Sequence, residues 1–360
     1  VDAEINKHYI INCSVSEAEQ FISEDIVLER ILFMNRVKYI CSTTARMLTL
    51  LIAVSILSFI LISASPVDPL KAYVGAESTL SEEAKEEVAE YWGLNDPPAE
   101  RFLTWADHTL HGDLGQSITY NMPVSTVIAD RFKYSVALIL AAWVLSGIIG
   151  FTAGIFAAVK KGSIFDKCVK TFCLILQSAP VFWFGLLMLT VFSIILGWFP
   201  IGQAVPVDKL AADVTIWDRI YHMILPAVTL SILGTGKITL YTRQKLIEIM
   251  HSDYILFARA RGESVKQLVI RHGLRNIAMP AITLQFASFS ELFGGIALAE
   301  TVFSYPGIGS AVTAAALNAD APLLIGIAMF SALFVFVGNF IANVLYGVVD
   351  PRLKEGGYRA

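Results

Sequence analysis

The run Asp253-Tyr254-Ile255-Leu256-Phe257-Ala258-Arg259-Ala260-Arg261-Gly262, continuing as Glu263-Ser264-Val265-Lys266-Gln267-Leu268-Val269-Ile270-Arg271-His272-Gly273-Leu274-Arg275-Asn276, is a polar island between two long apolar stretches. It predicts a short helix over 253–260, with Tyr254, Ile255, Phe257, Ala258 and Ala260 as apolar or small contacts. Gly262 ends that helix, because glycine turns sharply at low cost. The Ser264 hydroxyl then caps a second helix that runs to Asn276. Charged Arg259, Arg261, Arg271 and Arg275 keep the element out of hydrocarbon. A short helix tipped by small alanines suits a cleft on a soluble partner, where Arg259 and Arg261 would pair with acidic groups. The plainer alternative is a solvated basic loop.

Working outward, the rest of the chain is suited to a bilayer. Apolar residues make up 55% of 360 and charged residues 16%, with mean hydropathy +0.62; soluble domains carry about 25% charged residues. The net charge of −4 gives no argument for nucleic acid or an acidic partner. Six stretches are long enough to cross a ~30 Å hydrocarbon core: 47–64, 136–159, 171–199, 223–246, 277–302 and 323–349. The first exceeds the usual apolar run of a signal peptide and is followed by Pro66, so it reads as a retained span. Cys13, Cys41, Cys168 and Cys173 lie in no segment placed outside, so no disulfide framework is implied.

Lys and Arg set the orientation. The 1–46 tail, the 160–170 connection, the connection from Arg243 to Asn276 and the 350–360 tail together hold nineteen, against seven in the alternate connections. Both termini and the 247–276 loop are therefore expected in the cytoplasm. The 65–135 loop is expected outside as a small subdomain, with a helix capped by Ser81 and stopped at Gly93. It either packs on the spans or docks a soluble partner. Residues 1–33 read as an acidic stretch that the working protein is expected to do without, with Asn35-Arg36-Val37-Lys38 after Met34 as a basic lead-in.

No phosphate loop, nucleophile elbow or His-Glu-x-x-His motif occurs, so no catalytic residue, cofactor or metal site is expected. The nearest approach to a metal cluster, His108, His111 and Asp113, reads as loop residues rather than ligands. Gly147, Gly150, Gly154, Gly294 and Gly295 lie in spans, where they would allow close helix packing. Pro180 is expected to break the third span, and Pro226 and Pro280 to sit early in the fourth and fifth. After Glu300, the turn Tyr305-Pro306-Gly307-Ile308-Gly309 leads into a small-residue helix over 310–316 at the outer mouth.

Four separated motifs carry a resemblance: Gly112-Asp113-Leu114-Gly115-Gln116-Ser117, Ala258 to Gly262, Glu300 to Gly309 and Val349-Asp350-Pro351-Arg352. In this order they resemble hallmarks of the first permease subunit of dipeptide, oligopeptide and nickel ATP-binding-cassette (ABC) importers, over about residues 34–353. The resemblance implies an all-α membrane protein with six transmembrane helices, the type I ABC importer permease fold and a sizeable external loop subdomain. It implies a heterodimer with a second homologous permease subunit, two cytoplasmic ABC ATPase subunits, an external solute-binding protein and a plasma (inner) membrane location. Tyr254, Ala258, Arg259, Ala260, Arg261, Gly262, Arg271 and Arg275 would form the ATPase-coupling loop. Glu300, Tyr305, Pro306, Gly307 and Gly309 would form an external gate, and Gly112, Asp113, Leu114, Gly115 and Ser117 an external loop motif. Peptide is the first expectation for the substrate and nickel or a metal chelate the alternative. A membrane-embedded enzyme is the competing class, and it would need a nucleophile–base pair or carboxylate dyad that the spans do not offer.

Two charges stand apart. Lys237 and Glu291 are the only ones well inside the expected spans, ~15 Å and ~21 Å from the inner edge at ~1.5 Å per residue. A lone charge at that depth costs about 2.5–3.5 kcal/mol, so each must face a partner or water. They are expected to approach one another beside a pathway through the bundle, the alternative being that each separately faces a cavity or a packing contact.

Overall fold

The computed structural model describes residues 41–60 other than 43, 81–91, 95–206, 208–210 and 213–349. The expectations for residues 1–33, Gly93 and the Asp350-Pro351-Arg352 motif lie outside these. The chain divides into two compact units, Val1–Ala53 and Val54–Ala360. The apolar helix α1 (Thr44–Ile60) begins in the first unit and ends in the second. All that follows concerns the second.

That unit is built from helices: α2 (Glu82–Tyr91), α3 (Pro98–Leu110), α4 (Val124–Val159), α5 (Ile164–Ser178), α6 (Val181–Leu189), α7 (Ile216–Met250), α8 (Asp253–Ala260), α9 (Val265–Leu268), α10 (Leu274–Ala287), α11 (Phe289–Val302), α12 (Ile308–Leu317) and α13 (Ala321–Val349). One small antiparallel hairpin, β1 (Gln116–Ser117) with β2 (Met122–Pro123), lies between α3 and α4. By length and composition, α4, α7 and α13 are each able to cross a bilayer unbroken.

The bundle is organised on α4 and α7, and its glycines explain why. A Cβ on Gly150 would stand 3.1 Å from Ile238, and one on Gly154 2.7 Å from the Thr239 carbonyl. Without those Cβ atoms the two backbones close together, which is how helices associate where lipid removes the hydrophobic drive between them. Gly234 lies against Ser146 in the same seam. The register advances in the same sense on both helices, so they run parallel. Trp143 meets Gln285 and Ser135 meets Glu300, so α4 runs antiparallel to α10 and α11. The packing role expected of the α4 glycines does not extend to Gly294, which has open space at its Cβ position.

Two expected spans are bent. Over 171–199 the chain forms α5 and then α6 with a π-helical turn (Thr190–Ile195), the two arms meeting at 112°. Pro180 has no N–H to offer and forces Ala179 into an extended conformation (φ −80°, ψ 130°). Over 277–302, α10 and α11 meet at 55°. There Ser288 turns its hydroxyl back onto the Gln285 carbonyl (2.8 Å), a bond that competes with the helix ladder. Pro226 and Pro280, by contrast, are carried inside α7 and α10. The span expected over 136–159 starts earlier, at Val124, and its added turns carry Asp130, Arg131 and Lys133.

Of the expected 65–135 loop, residues 124–135 belong to α4, and the helix expected after Ser81 is present as α2. The Ser81 hydroxyl accepts from Ala84 N–H (3.3 Å) at the start of α2. In α3, Trp105 is buried with Phe59 and Ile325, so this small subdomain packs on α13.

Candidate functional site

The polar island forms a hairpin. α8 begins after Ser252 and ends at Gly262, whose φ of +91° lies in the left-handed region that L side chains avoid. Gly262 N–H closes the turn onto the Arg259 carbonyl at 2.9 Å. Ser264 and Gln267 then form a reciprocal capping box, the expected cap in its strongest form. The second arm does not stop at Asn276. It passes through a π-helical turn (Val269–Gly273) and continues as α10, joining the hairpin directly to a span. The second arm and α10 thus form one continuous helix as far as Ala287.

The faces of α8 sort its residues. Ile255 and Ala258 are buried against Leu268, Ile249 and Met250. Ala258, expected as a contact for a partner, instead holds the two arms together, because its methyl faces the second arm. Tyr254, Phe257, Arg259, Ala260 and Arg261 are exposed. Tyr254 accepts a hydrogen bond from the Asn276 amide (3.1 Å), which fixes the ring beside the second arm. Arg271 and Arg275 are exposed, with Arg271 4.0 Å from Glu263 and His272 3.2 Å from it. The exposed surface of the hairpin thus offers two aromatics, a methyl and four guanidinium groups.

Beneath the hairpin, Asp166 joins α5 to α7. Its buried carboxylate takes a two-pronged contact from Arg243, with Nη2 at 2.7 Å, and accepts from Gly162 N–H at 2.9 Å. The hydrogen bond from Arg243 outweighs burial and holds the carboxyl down at about 2.

At the other end of the bundle, Glu300 is fully buried. One carboxylate oxygen accepts from the Ser135 hydroxyl (2.5 Å); the other accepts from Gly309 N–H (2.6 Å) and Ser310 N–H (3.4 Å) at the start of α12. Ser135 in turn accepts from Ile308 N–H (2.8 Å). One carboxylate from α11 thereby caps α12 and ties it to α4. Pro306 sits at the centre of a tight turn closed by Gly307 N–H on the Tyr305 carbonyl (2.8 Å). Gly307 and Gly309 are required for space rather than for conformation. A Cβ on Gly307 would fall 2.0 Å from Glu300, and one on Gly309 2.2 Å from the Ala297 Cα. Tyr305 is buried with its ring edge-on to Tyr134; burial above all, then the charges of Glu300 and Tyr134, pushes its hydroxyl up to about 12.

The 112–117 motif belongs to the same end. Gly112 and Gly115 have φ of +87° and +82°. Asp113 braces the turn, accepting from Gly115 N–H (2.9 Å) and the Tyr91 hydroxyl (2.8 Å). Leu114 packs on the cluster around Val124 and Ala311. Ser117 donates to Asp320 at 2.6 Å, and Asp320 also accepts from Thr119 N–H and from Leu323 N–H as the cap of α13. His108 and His111 bond backbone carbonyls, and no group of residues able to hold a metal ion occurs among the described residues.

Lys237 and Glu291 meet. The ammonium lies 2.7 Å from both carboxylate oxygens, and the side chains keep 54% and 61% of their surface exposed.

Asp166, Arg243, Ser135, Asp320 and Gln285 were not singled out in the sequence. Gln285 is buried, donates to the Trp143 carbonyl (2.6 Å) and receives Trp143 Nε1–H on its own carbonyl (2.8 Å). A signal existed for Asp320, which precedes Ala321-Pro322 as a helix cap precedes its first turn. It also existed for Asp166, the lone acid in a basic connection.

A family profile described as "Binding-protein-dependent transport system inner membrane component" matches residues 150–355. The chain is 35% identical over 317 residues to the oligopeptide transport system permease protein AppB of Bacillus subtilis, covering 88% of this chain and 99% of that one. It is 33% identical over 333 residues to the di/tripeptide transport system permease protein DppB of Pseudomonas aeruginosa, covering 87% and 99%. It is 30% identical over 322 residues to the dipeptide transport system permease protein DppB of Escherichia coli K12, covering 84% and 95%. A chain of the inward-facing MetNI methionine ABC transporter superposes with a TM-score of 0.51 at 16% identity, over 63% of this chain and 97% of that one. This likeness identifies the fold alone, the type I ABC importer permease fold.

Proposed function

The chain belongs to the family of binding-protein-dependent inner-membrane transport components, and from that premise we propose that it conducts peptides as one permease subunit of an ATP-driven importer. It is a multi-pass membrane subunit and not an enzyme; ATP is hydrolysed on separate chains. The peptide substrate is supported by relatives whose names are those of oligopeptide and dipeptide permeases. Those same relatives disfavour nickel or a metal chelate.

In this reading a second homologous permease completes the pathway, two ATPases seat on the hairpins and an external solute-binding protein delivers the peptide. Both termini and the hairpin face the cytoplasm, in line with the bias of Lys and Arg. The observation that carries the coupling role is the division of α8, with Ile255 and Ala258 holding the arms and Phe257 and Ala260 left exposed.

Ala260→Glu tests it. Position 260 is exposed, so the substitution spares folding while placing bulk and negative charge on the contact face. With the partner chains assembled in lipid nanodiscs, insertion is expected to be normal and ATP hydrolysis stimulated by loaded binding protein to be lost. Full stimulation in the variant would remove the hairpin from the coupling path.

A further inference from the structure

Lys237 is the only exposed residue of α7 between positions 222 and 243. Its neighbours along those six turns are buried or half-buried, and the one exposed side chain is charged. Its partner Glu291 lies on α11 in line with exposed Gly294 and Leu298, at spacings that share one helix face. Open space stands over Gly294. Beside the pair, exposed Gln177 and Ser178 end α5 at the Pro180 break, and the Gln177 amide lies against Gly236 of α7. A polar strip with room above one glycine thus crosses an otherwise apolar surface.

Two charges at this depth do not belong against lipid. Each alone would be costly at mid-bilayer, and pairing lessens that cost without removing it while both heads are more than half exposed. The strip is therefore turned towards a water-filled space or a polar partner rather than lipid. We infer that the Lys237–Glu291 pair lines the translocation pathway and serves as a transit contact for the charged ends of a peptide, the carboxylate meeting Lys237 and the ammonium meeting Glu291. This rests on the reading of the chain as a peptide permease, and it extends that reading to short peptides with both ends free.

The chemistry suits the task. The site is neutral overall, so a zwitterion exchanges one ion pair for two without leaving a net charge. Recognition of the ends ignores the side chains, as a carrier of varied peptides needs. Because Lys237 and Glu291 already satisfy each other, the contact is weak enough to release, and passage needs binding that permits exit.

The test uses the complete importer in proteoliposomes, with its partner chains and binding protein, and a labelled dipeptide with free ends. Lys237→Met and Glu291→Gln are each expected to lower uptake roughly tenfold, as loss of one charge-assisted contact does, with normal insertion. The exchanged pair, K237E with E291K, is expected to retain most of the uptake because the zwitterion docks reversed. The neutral pair, K237M with E291Q, is expected to stay as low as the single variants. A pair that only joins α7 to α11 would recover in the neutral double, since no uncompensated charge remains. That recovery, or loss of uptake in the exchanged pair, would overturn the inference.

A second readout is independent of rate. In Lys237→Cys, a membrane-impermeant maleimide is expected to label position 237, read by mass spectrometry at that residue, and the dipeptide is expected to slow the labelling. No labelling, or labelling indifferent to the dipeptide, would place the pair outside the pathway. If the unaltered importer moves no peptide at all, it is the permease reading that fails.

Discussion

The two ends of the bundle are built on opposite principles. At the Glu300 end, that residue is fully buried and its carboxylate joins α11, α12 and α4, while Asp320 joins the 112–117 turn to α13. Gly307 and Gly309 have no room for a methyl. At the hairpin end, a Cβ on Gly262 would meet no atom, and α8 rests on one small cluster with its aromatics outside. Among the described residues the Glu300 end meets its own polar groups, whereas the hairpin leaves Tyr254, Phe257 and Ala260 exposed, the surface proposed for the ATPase.

Substitution at the crowded glycine should have the largest effect. Gly309→Ala sets a methyl against backbone, which cannot step aside as a side chain could. Overpacking of this kind costs about 1–3 kcal/mol, and the upper end is expected, read as a lowered midpoint of thermal unfolding in detergent. An unchanged midpoint would mean that α12 is free to move away from α11.

Asp166 comes next. Its folded carboxyl at about 2 lies below the ordinary value of 3.8, so its contribution is fully present above pH 4 and is lost as pH falls towards 2. That contribution is on the order of 2 kcal/mol. Asp166→Asn is therefore expected to be less stable than the parent at pH 6, with the gap closing between pH 4 and 2. A gap that persists unchanged to pH 2 would show that the carboxylate does not act through its charge.

The smallest effect is expected at the open glycine. Gly262→Ala meets no atom and suffers only from its left-handed φ, a cost of about 1 kcal/mol. A loss as large as that of Gly309→Ala would erase the contrast between the two ends.

What the sequence made legible follows the range of the interactions. Hydropathy located the apolar stretches, and local chemistry placed the Gly262 turn, the Ser264 cap, the Ser81 cap and the break at Pro180. Each is decided within four residues. Asp166 with Arg243, Ser135 with Glu300 and Ser117 with Asp320 are separated by 77, 165 and 203 residues, and no local pattern announces them. The bend at Ser288 escaped notice because a serine inside a span is usually tolerated. Ala258 was assigned to the wrong face because small residues suit a partner's cleft and a helix crossing equally well. Only the position of the second arm decides between them.

The hairpin's exposed face carries the account, and position-specific photo-cross-linking tests it most directly. A benzophenone amino acid replaces Phe257 on the hairpin, and in a separate variant Leu317, also exposed, at the far end of α12. Irradiation of the assembled importer is expected to join position 257 to the ATPase and to leave position 317 unattached to it. An ATPase adduct at 317, or none at 257 in an importer that still hydrolyses ATP, would contradict the account.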